Sequence, residues 1–299
     1  ADTALDDASV EALVPELDRH GIESVAVGLL HCYANPAHEK RVGEILRAAR
    51  PDLSVTLSSE VCPEIREYER LSTACANAYV QPLMARYLTR LDERLRARGV
   101  GCPLLMLMSS GGLTTLETAV RFPIRLVDSG PAGGAILASH IARECDLARV
   151  LSFDMGGTTA KICLIDDGRP QTSRSFEVAR AYRFTKGSGL PLRIPVIEMV
   201  EIGAGGGSIA SVDALGRINV GPQSAGAEPG PACYGRGGAA ATVTDANVVL
   251  GRIDPARFAG GAMAMKLLIS GRRIKSRMQI QAPKENPPIQ PWDASAFGT

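Results

Sequence analysis

Residues 150–165 read Val150-Leu-Ser-Phe-Asp-Met-Gly-Gly-Thr-Thr-Ala-Lys-Ile-Cys-Leu-Ile165. This pattern predicts two short strands, at 150–153 and 160–165, because apolar and β-branched residues cluster there without helical spacing. The turn between them contains Gly156 and Gly157, and glycine tolerates positive φ and places no Cβ in the way of a ligand. Consecutive backbone N–H groups in such a turn can form a concave anion site. We therefore interpret the segment as a β-hairpin that binds nucleotide phosphates.

Asp154 stands at the end of the first predicted strand, directly before the glycines. A carboxylate there would repel a bare phosphate, so its presence favours a Mg²⁺ ion or an attacking water between the two groups. The hydroxyls of Thr158 and Thr159 and the ammonium group of Lys161 add further donors. The alternative is a hairpin whose glycines serve only the turn, since Gly-Gly is a common hairpin signal. No Walker A motif occurs in the sequence, which excludes a P-loop protein.

Gly130 and Gly133 belong to a glycine-rich stretch upstream of the hairpin. We predict a strand at 124–128, then a loop holding these glycines, then a helix at 135–145. Such a strand–loop–helix unit can present a helix N-terminus to an anion. Close packing between helix and strand, which needs small residues, is the alternative interpretation.

A second glycine turn follows the hairpin, in Gly203-Ala-Gly-Gly-Gly-Ser208. It is not a dinucleotide-binding fingerprint, because a strand follows the loop where a helix is required. We interpret the backbone from Gly205 to Ser208 as packing against phosphate or adenosine.

Asp245 lies at the start of a predicted helix, beside Thr244. Aspartate is a preferred helix cap, and a cap is one explanation for this residue. A carboxylate that faces a cleft and serves a metal or a substrate is the other explanation.

Two helical patterns precede these segments. One runs from Ser9, the predicted cap, to His20, and the other covers 64–98, where Pro82 is expected to break or kink the helix. The charged residues of the second pattern are interpreted as a solvated helix face. An active-site cluster that contains Glu69 and Arg70 is the alternative.

The composition describes a globular protein of one large or two medium domains: 299 residues, 45% hydrophobic and 22% charged. A net charge of +1 favours neither nucleic acid nor membrane as a partner. The sequence contains no uninterrupted run of about 18 apolar residues, so no membrane span is predicted. The seven cysteines are scattered and form no Cys-x-x-Cys pair, which fits a reducing cytoplasm.

Four stretches, taken together and in order, resemble the hydantoinase A / 5-oxoprolinase family of the actin-like ATPase superfamily. They are Val127-Asp-Ser-Gly-Pro-Ala-Gly-Gly134, Asp154-Met-Gly-Gly-Thr-Thr-Ala-Lys161, Glu201-Ile-Gly-Ala-Gly-Gly-Gly-Ser-Ile209, and the signature at 220–238 with Thr242-Val-Thr-Asp-Ala-Asn247. The resemblance covers roughly residues 1–265. The family's first phosphate hairpin, an Asp-x-Gly-Gly-Thr turn, has no counterpart in the sequence, so we expect an internal fragment of a longer subunit.

The resemblance implies an α/β fold: an actin-like, ribonuclease-H-like ATPase lobe with a phosphate-binding β-hairpin, preceded by the end of an N-terminal α/β domain. Residues 1–100 are expected to hold that N-terminal part with a linking helix, and residues 101–265 a partial ATPase domain. Residues 266–299 are basic and proline-containing, and we expect a disordered tail there.

The resemblance also implies a function: an ATP-dependent hydrolase subunit that opens cyclic amides of the hydantoin or 5-oxoproline type by phosphorylating a carbonyl oxygen. ATP and Mg²⁺ are the implied cofactors, and a hydantoinase B-type subunit or domain is the implied partner. The alternatives are a non-catalytic or truncated nucleotide-binding module, or the ATPase subunit of a related acetone- or acetophenone-type carboxylase.

The site residues expected on this basis fall into two groups. Asp154, Lys161 and Asp245 are the candidate catalytic residues, with Asp154 also the candidate metal ligand. The candidate contacts to the nucleotide are Gly130, Gly133, Gly156, Gly157, Thr158, Thr159, Gly205, Gly206, Gly207 and Ser208.

Overall fold

The computed structural model describes residues 3–179, 181 and 187–265. The helices are α1 Asp7–Glu11, α2 Val14–Arg19, α3 Ala37–Ala49, α4 Ser58–Val61, α5 Glu67–Ala97, α6 Leu116–Arg121, α7 Ser129–Glu144 and α8 Val243–Val249, with 3₁₀ turns at Pro123–Leu126, Ala232–Tyr234 and Phe258–Gly261. The strands are β1 Ser24–Val27, β2 Ser54–Leu57, β3 Leu105–Leu107, β4 Leu113–Thr115, β5 Arg149–Met155, β6 Ala160–Asp166, β7 Arg169–Pro170, β8 Thr172–Ser173, β9 Phe176–Val178, β10 Leu190–Leu192, β11 Val196–Ile197, β12 Val200–Ile202, β13 Ser208–Val212 and β14 Ile218–Ser224. The predicted α/β class is confirmed. Within these ranges no helix has the length and apolar character needed to cross a membrane.

The described residues divide into two compact units. Unit 1 takes those within Ala1–Asp154 and Ile162–Val200, and unit 2 takes those within Met155–Lys161 and Glu201–Thr299. Unit 2 therefore contains the turn of the predicted phosphate hairpin together with β13, β14 and α8. The tail predicted at 266–299 lies outside the described residues, and the domain boundary predicted at residue 100 stays a prediction.

The first core of unit 1 forms between α3 and a parallel pair of strands. β1 and β2 pair in parallel. Val42, Ile45 and Leu46 recur on one face of α3 and pack against Val55 and Leu57 of β2. All five side chains are buried, so this helix face is held by apolar burial.

The single helix predicted from Ser9 is in fact two short helices. Pro15 lies in the first turn of α2, and because proline has no N–H it cannot bond to the carbonyl of Glu11 in a continuous helix. The cap of α1 is Asp6, whose side chain accepts from the N–H of Ala8. The prediction of Ser9 as the cap is wrong.

The long helix α5 continues through Pro82 as one element of 31 residues. Near its start, Arg70 is 0% exposed. Its guanidinium donates to the carbonyls of Leu29 and Glu64 and to the Ser58 hydroxyl. A buried charge needs such partners. The interpretation of Arg70 as part of a solvated face is therefore wrong.

The two predicted strands on either side of the glycine turn are present as β5 and β6. They lie in a four-stranded sheet with the order β12-β6-β5, and β7 pairs with β6. The strand predicted at 124–128 is instead the 3₁₀ turn Pro123–Leu126. Pro123 opens it, and its ring fixes φ near the helical value.

In unit 2, β13 and β14 form an antiparallel hairpin closed by a tight turn. The N–H of Asp213 donates to the carbonyl of Arg217 across that turn, at 3.0 Å. Farther along, Val248 of α8 packs with Cys233 and Met265 in a small apolar core. This core fixes α8 against the loop that precedes it.

Candidate functional site

The turn between β5 and β6 is closed by one hydrogen bond, from the N–H of Gly156 to the carbonyl of Thr159 at 2.9 Å. Neither Gly156 nor Gly157 has positive φ, so the turn does not use the left-handed conformation that glycine tolerates. What they supply is space: a Cβ added at Gly157 would meet no atom within 4 Å. One side of this turn is open.

A second glycine segment, Gly205–Gly207, lies directly against the turn. The N–H of Gly206 donates to the carbonyl of Gly156 at 2.9 Å, and the N–H of Gly207 donates to the carbonyl of Gly157 at 2.8 Å. A Cβ at Gly205 would lie 2.5 Å from the nitrogen of Thr158. Side chains are therefore excluded because two backbones touch here, a reason that the sequence pattern does not reveal.

These contacts use the carbonyls of the turn and leave its donors uncommitted. The carbonyls of Gly156 and Gly157 are both taken by the second glycine segment. The N–H groups of Gly157, Thr158 and Thr159 have no acceptor within the part of the chain that the structure describes. Gly157 and Thr158 are exposed. An exposed turn with three successive free donors is suited to binding an anion.

Asp154 and Lys161 flank this turn on the two strands. The Asp154 side chain is exposed, and no hydrogen bond or ion pair to another described residue restrains it. Lys161 is half-buried on β6. Within the described ranges, no group of three or more His, Cys, Asp or Glu residues is arranged to hold a metal ion. The roles predicted for Asp154 and Lys161 stay predictions.

Ser208 is buried, with 1% of its surface exposed. Its hydroxyl accepts from the N–H of Gly205 at 2.9 Å, and its own N–H donates to the Gly205 carbonyl at 3.0 Å. The side chain closes the second glycine turn on itself. The Ser208 hydroxyl is thus occupied within the turn, and the predicted contact between the backbone of this segment and a nucleotide stays a prediction.

Asp245 is also buried, at 1% exposure. Its carboxylate accepts from the N–H groups of Ala232, Cys233 and Thr242 at 3.3, 2.7 and 2.8 Å, and from the Thr242 hydroxyl at 2.8 Å. Thr242 is the N-cap of α8, and Asp245 completes a capping box with it. This geometry shows Asp245 in the helix-capping role, and its catalytic role stays a prediction.

The Cys233 thiol lies next to this carboxylate. Burial, and after it the hydrogen bond and the negative charge of Asp245, raise the pKa of the Cys233 thiol to about 12. A thiol in this environment stays protonated and unreactive at neutral pH.

Gly130 and Gly133 belong to unit 1 and lie within the first two turns of α7. The prediction that they lie in a loop is wrong: Pro131 is tolerated so near a helix start, where its missing N–H costs nothing. A Cβ at Gly133 would lie 2.7 Å from a methyl carbon of Leu107, whereas one at Gly130 would meet nothing within 4 Å. Packing therefore explains Gly133, and a nucleotide contact by either residue stays a prediction.

Thr244 is a residue of this region that the sequence does not single out. Its N–H and its hydroxyl both donate to the carbonyl of Gly206, at 2.8 and 2.9 Å. The sequence shows Thr244 as the neighbour of a helix cap, and no local pattern pairs it with a glycine 38 residues away.

Known proteins are similar to this chain over most of its length. The family model described as hydantoinase/oxoprolinase matches residues 70–279, and the model of the hydantoinase/oxoprolinase N-terminal region matches residues 2–49. The chain is 36% identical over 274 residues to the caprolactamase subunit alpha of Pseudomonas jessenii. It is 34% identical over 280 residues to the acetophenone carboxylase gamma subunit of Aromatoleum aromaticum.

The two alignments cover 92% of this chain, but 38% of the caprolactamase subunit and 37% of the carboxylase subunit. The chain thus spans less than two-fifths of the length of either relative. The crystal structure of the ATP-dependent caprolactamase from Pseudomonas jessenii superposes with a TM-score of 0.68 at 36% identity, covering 88% of this chain and 37% of that one. The chain belongs to the hydantoinase/oxoprolinase family.

Proposed function

We propose that this chain is the nucleotide-binding part of an ATP-dependent enzyme that opens cyclic amides of the hydantoin or 5-oxoproline type. The observation that carries the proposal is the hairpin turn, in which the carbonyls of Gly156 and Gly157 are occupied and the N–H groups of Gly157, Thr158 and Thr159 have no acceptor among the described residues. Family membership supports it, as does the structural similarity to a caprolactamase that is ATP-dependent.

The residues of the turn fit a polyphosphate. The N–H groups of Gly157, Thr158 and Thr159 and the two threonine hydroxyls would donate to phosphate oxygens, and Lys161 would offset the negative charge of the phosphates. Asp154 is exposed beside the turn. A single carboxylate is enough for Mg²⁺, which keeps several of its waters and takes its other ligands from phosphate.

Transfer of a phosphoryl group from bound ATP to the amide carbonyl oxygen would release ADP and make the carbonyl carbon open to attack by water. That attack would then break the ring C–N bond and release phosphate. The part played by this chain is to hold the phosphates in line with the acceptor and to neutralise charge. Gly157, without a Cβ, lets the backbone approach the phosphates closely. The turn stays in place because the second glycine segment binds its carbonyls.

The remaining parts of such an enzyme are also proposals. The relatives are named as subunits, and we propose that a hydantoinase B-type subunit or domain completes the assembly around a cyclic amide substrate. All seven cysteines are free thiols, which supports a location in the reducing cytoplasm.

Calorimetric titration of the chain with ATP, in the presence and absence of Mg²⁺, tests the proposal. We expect micromolar binding that requires Mg²⁺. Gly157→Ala should weaken binding at least tenfold, because its methyl group enters the open side of the turn. Gly101→Ala is the matched control, since a Cβ at Gly101 also meets nothing within 4 Å and the residue lies in the other unit.

A second variant tests the metal. Asp154→Asn keeps the size of the side chain and removes its charge, and we expect it to abolish the difference between titrations with and without Mg²⁺. The proposal is wrong if the wild-type chain binds no ATP, or if Gly157→Ala binds ATP as the wild type does. No binding by the wild type would favour a truncated, non-catalytic module.

A further inference from the structure

Thr244 makes an unusual pair of contacts for a residue in the first turn of a helix. Its N–H and its hydroxyl converge on one acceptor, the carbonyl of Gly206, at 2.8 and 2.9 Å. The residue is 6% exposed. Two donors on one carbonyl restrain both the position and the direction of that peptide group.

The same glycine is bound from the opposite side by the hairpin. The N–H of Gly206 donates to the carbonyl of Gly156 at 2.9 Å. A Cβ at Gly206 would lie 2.6 Å from the Thr244 hydroxyl oxygen and 3.7 Å from the Gly156 carbonyl oxygen. Gly206 is therefore held between helix α8 and the hairpin turn, with no room for a side chain.

Helix α8 is itself firmly fixed. Asp245 joins its first turn to the N–H groups of Ala232 and Cys233, at 3.3 and 2.7 Å. Val248 packs with Cys233 and Met265 in the apolar core. A continuous series of short contacts thus leads from this buried helix through Thr244 and Gly206 to the turn at Gly156.

We propose that Thr244 is a positioning residue for the nucleotide: it fixes the second glycine segment, which in turn occupies the carbonyls of the hairpin and leaves its N–H groups to the phosphates. This inference rests on the proposed function. Thr244 acts through Gly206 and contacts no ligand itself. Loss of its hydroxyl leaves the Gly206 carbonyl with one donor, the Thr244 N–H, and so weakens the restraint on the glycine segment that orients the donors of the hairpin.

The test compares Thr244→Val, which keeps the shape and removes the hydroxyl, with Thr244→Ser, which keeps the hydroxyl. In amide hydrogen exchange of the free chain, Thr244→Val should speed exchange at Gly206 and Gly207 about tenfold, a loss of about 1.4 kcal/mol in protection, and Thr244→Ser should not. In calorimetry with Mg²⁺ and ATP, Thr244→Val should raise the dissociation constant about tenfold, and Thr244→Ser should restore it to within about twofold of wild type.

Val248→Ala is the control for stability alone. Val248 is 4% exposed and packs with Cys233 and Met265; its truncation destabilises unit 2 and leaves both hydrogen bonds from Thr244 to Gly206 in place. We expect it to leave ATP affinity unchanged. Equal weakening of ATP binding by Val248→Ala, wild-type affinity in Thr244→Val, or failure of Thr244→Ser to restore binding would each overturn the inference.

The two readouts separate this inference from the function on which it rests. Absence of ATP binding by the wild-type chain would overturn the proposed function. The exchange experiment would still decide whether Thr244 fixes the glycine segment, because it needs no ligand: unchanged protection of Gly206 and Gly207 in Thr244→Val would refute it.

Discussion

A methyl group added at Gly205 should destabilise the protein, whereas a methyl group added at Gly157, on the backbone that touches it, should not. Gly205→Ala puts a Cβ at 2.5 Å from the Thr158 nitrogen and 2.6 Å from the Gly157 carbonyl carbon. Gly157→Ala, on the facing backbone, puts its Cβ into open space. The two substitutions are chemically identical and only a few ångströms apart, so each serves as the control for the other.

The cost of Gly205→Ala follows from these distances. At 2.5 Å the Cβ is about 0.9 Å short of the 3.4 Å at which ordinary contact begins. Because the obstacle is backbone, the two segments must separate, and hydrogen bonds of 2.8 and 2.9 Å between them would lengthen beyond useful range. Overpacking of this kind costs about 1–3 kcal/mol, while fewer unfolded conformations return about 0.4–1 kcal/mol.

We therefore expect Gly205→Ala to lower the free energy of unfolding by about 2 kcal/mol and the Tm by about 4–8 °C. Gly157→Ala should leave the free energy of unfolding unchanged or raise it by up to about 1 kcal/mol. Urea denaturation followed by far-UV circular dichroism measures both. The close approach of the backbones would be refuted if Gly205→Ala were as stable as wild type, or if Gly157→Ala lost as much stability as Gly205→Ala.

Three further predictions concern buried ionisable groups. Burial raises the pKa of Glu39, but hydrogen bonds outweigh it, first from Cys32 and then from backbone N–H groups, and hold the pKa below its ordinary value of 4.5. The stabilisation that Glu39 provides is therefore complete above about pH 4.5 and is lost as the pH falls through the folded-state pKa. Glu39→Gln should reduce this loss of stability at acid pH, as measured by denaturation curves. The Cys233 thiol, with its pKa raised to about 12, should resist alkylation by iodoacetamide at pH 8, whereas the exposed Cys75 should react. Equal labelling of the two cysteines, measured by mass spectrometry, would contradict this. Asp245→Asn replaces an acceptor of four hydrogen bonds and should cost about 3 kcal/mol in urea denaturation; unchanged stability with lost turnover would instead favour the catalytic role.

The hairpin itself is predictable because its signals are local. Clusters of apolar and β-branched residues without helical spacing predict β5 and β6, and two glycines between them mark the turn. The α/β class follows from the same kind of pattern. These local signals do not explain the second glycine segment. The atoms that exclude a Cβ at Gly205 belong to residues about 50 positions earlier in the sequence.

The errors have a common physical origin. Glycines at 130 and 133 suggest a loop, but neighbouring proline and alanine allow a helix there, and packing on Leu107 favours small residues. The sequence pattern predicts Arg70 at the surface because charged side chains are usually exposed to solvent. In the structure three oxygen atoms accept hydrogen bonds from its buried guanidinium. The sequence allows two roles for Asp245, a helix cap or a carboxylate that faces a cleft. Its hydrogen bonds in the structure favour the cap.

The joining of the two glycine segments by main-chain atoms alone has a consequence for how this protein tolerates sequence change. Atoms common to every amino acid set the spacing, so the geometry of the turn does not depend on which side chains stand at Thr158 or Thr159. Substitution of those threonines should change the free energy of unfolding little, whereas substitution of Gly205 or Gly206 should destabilise the fold. A saturation library scored for folding alone would show intolerant glycines facing permissive threonines, and the same library scored for ligand binding would show which threonines matter.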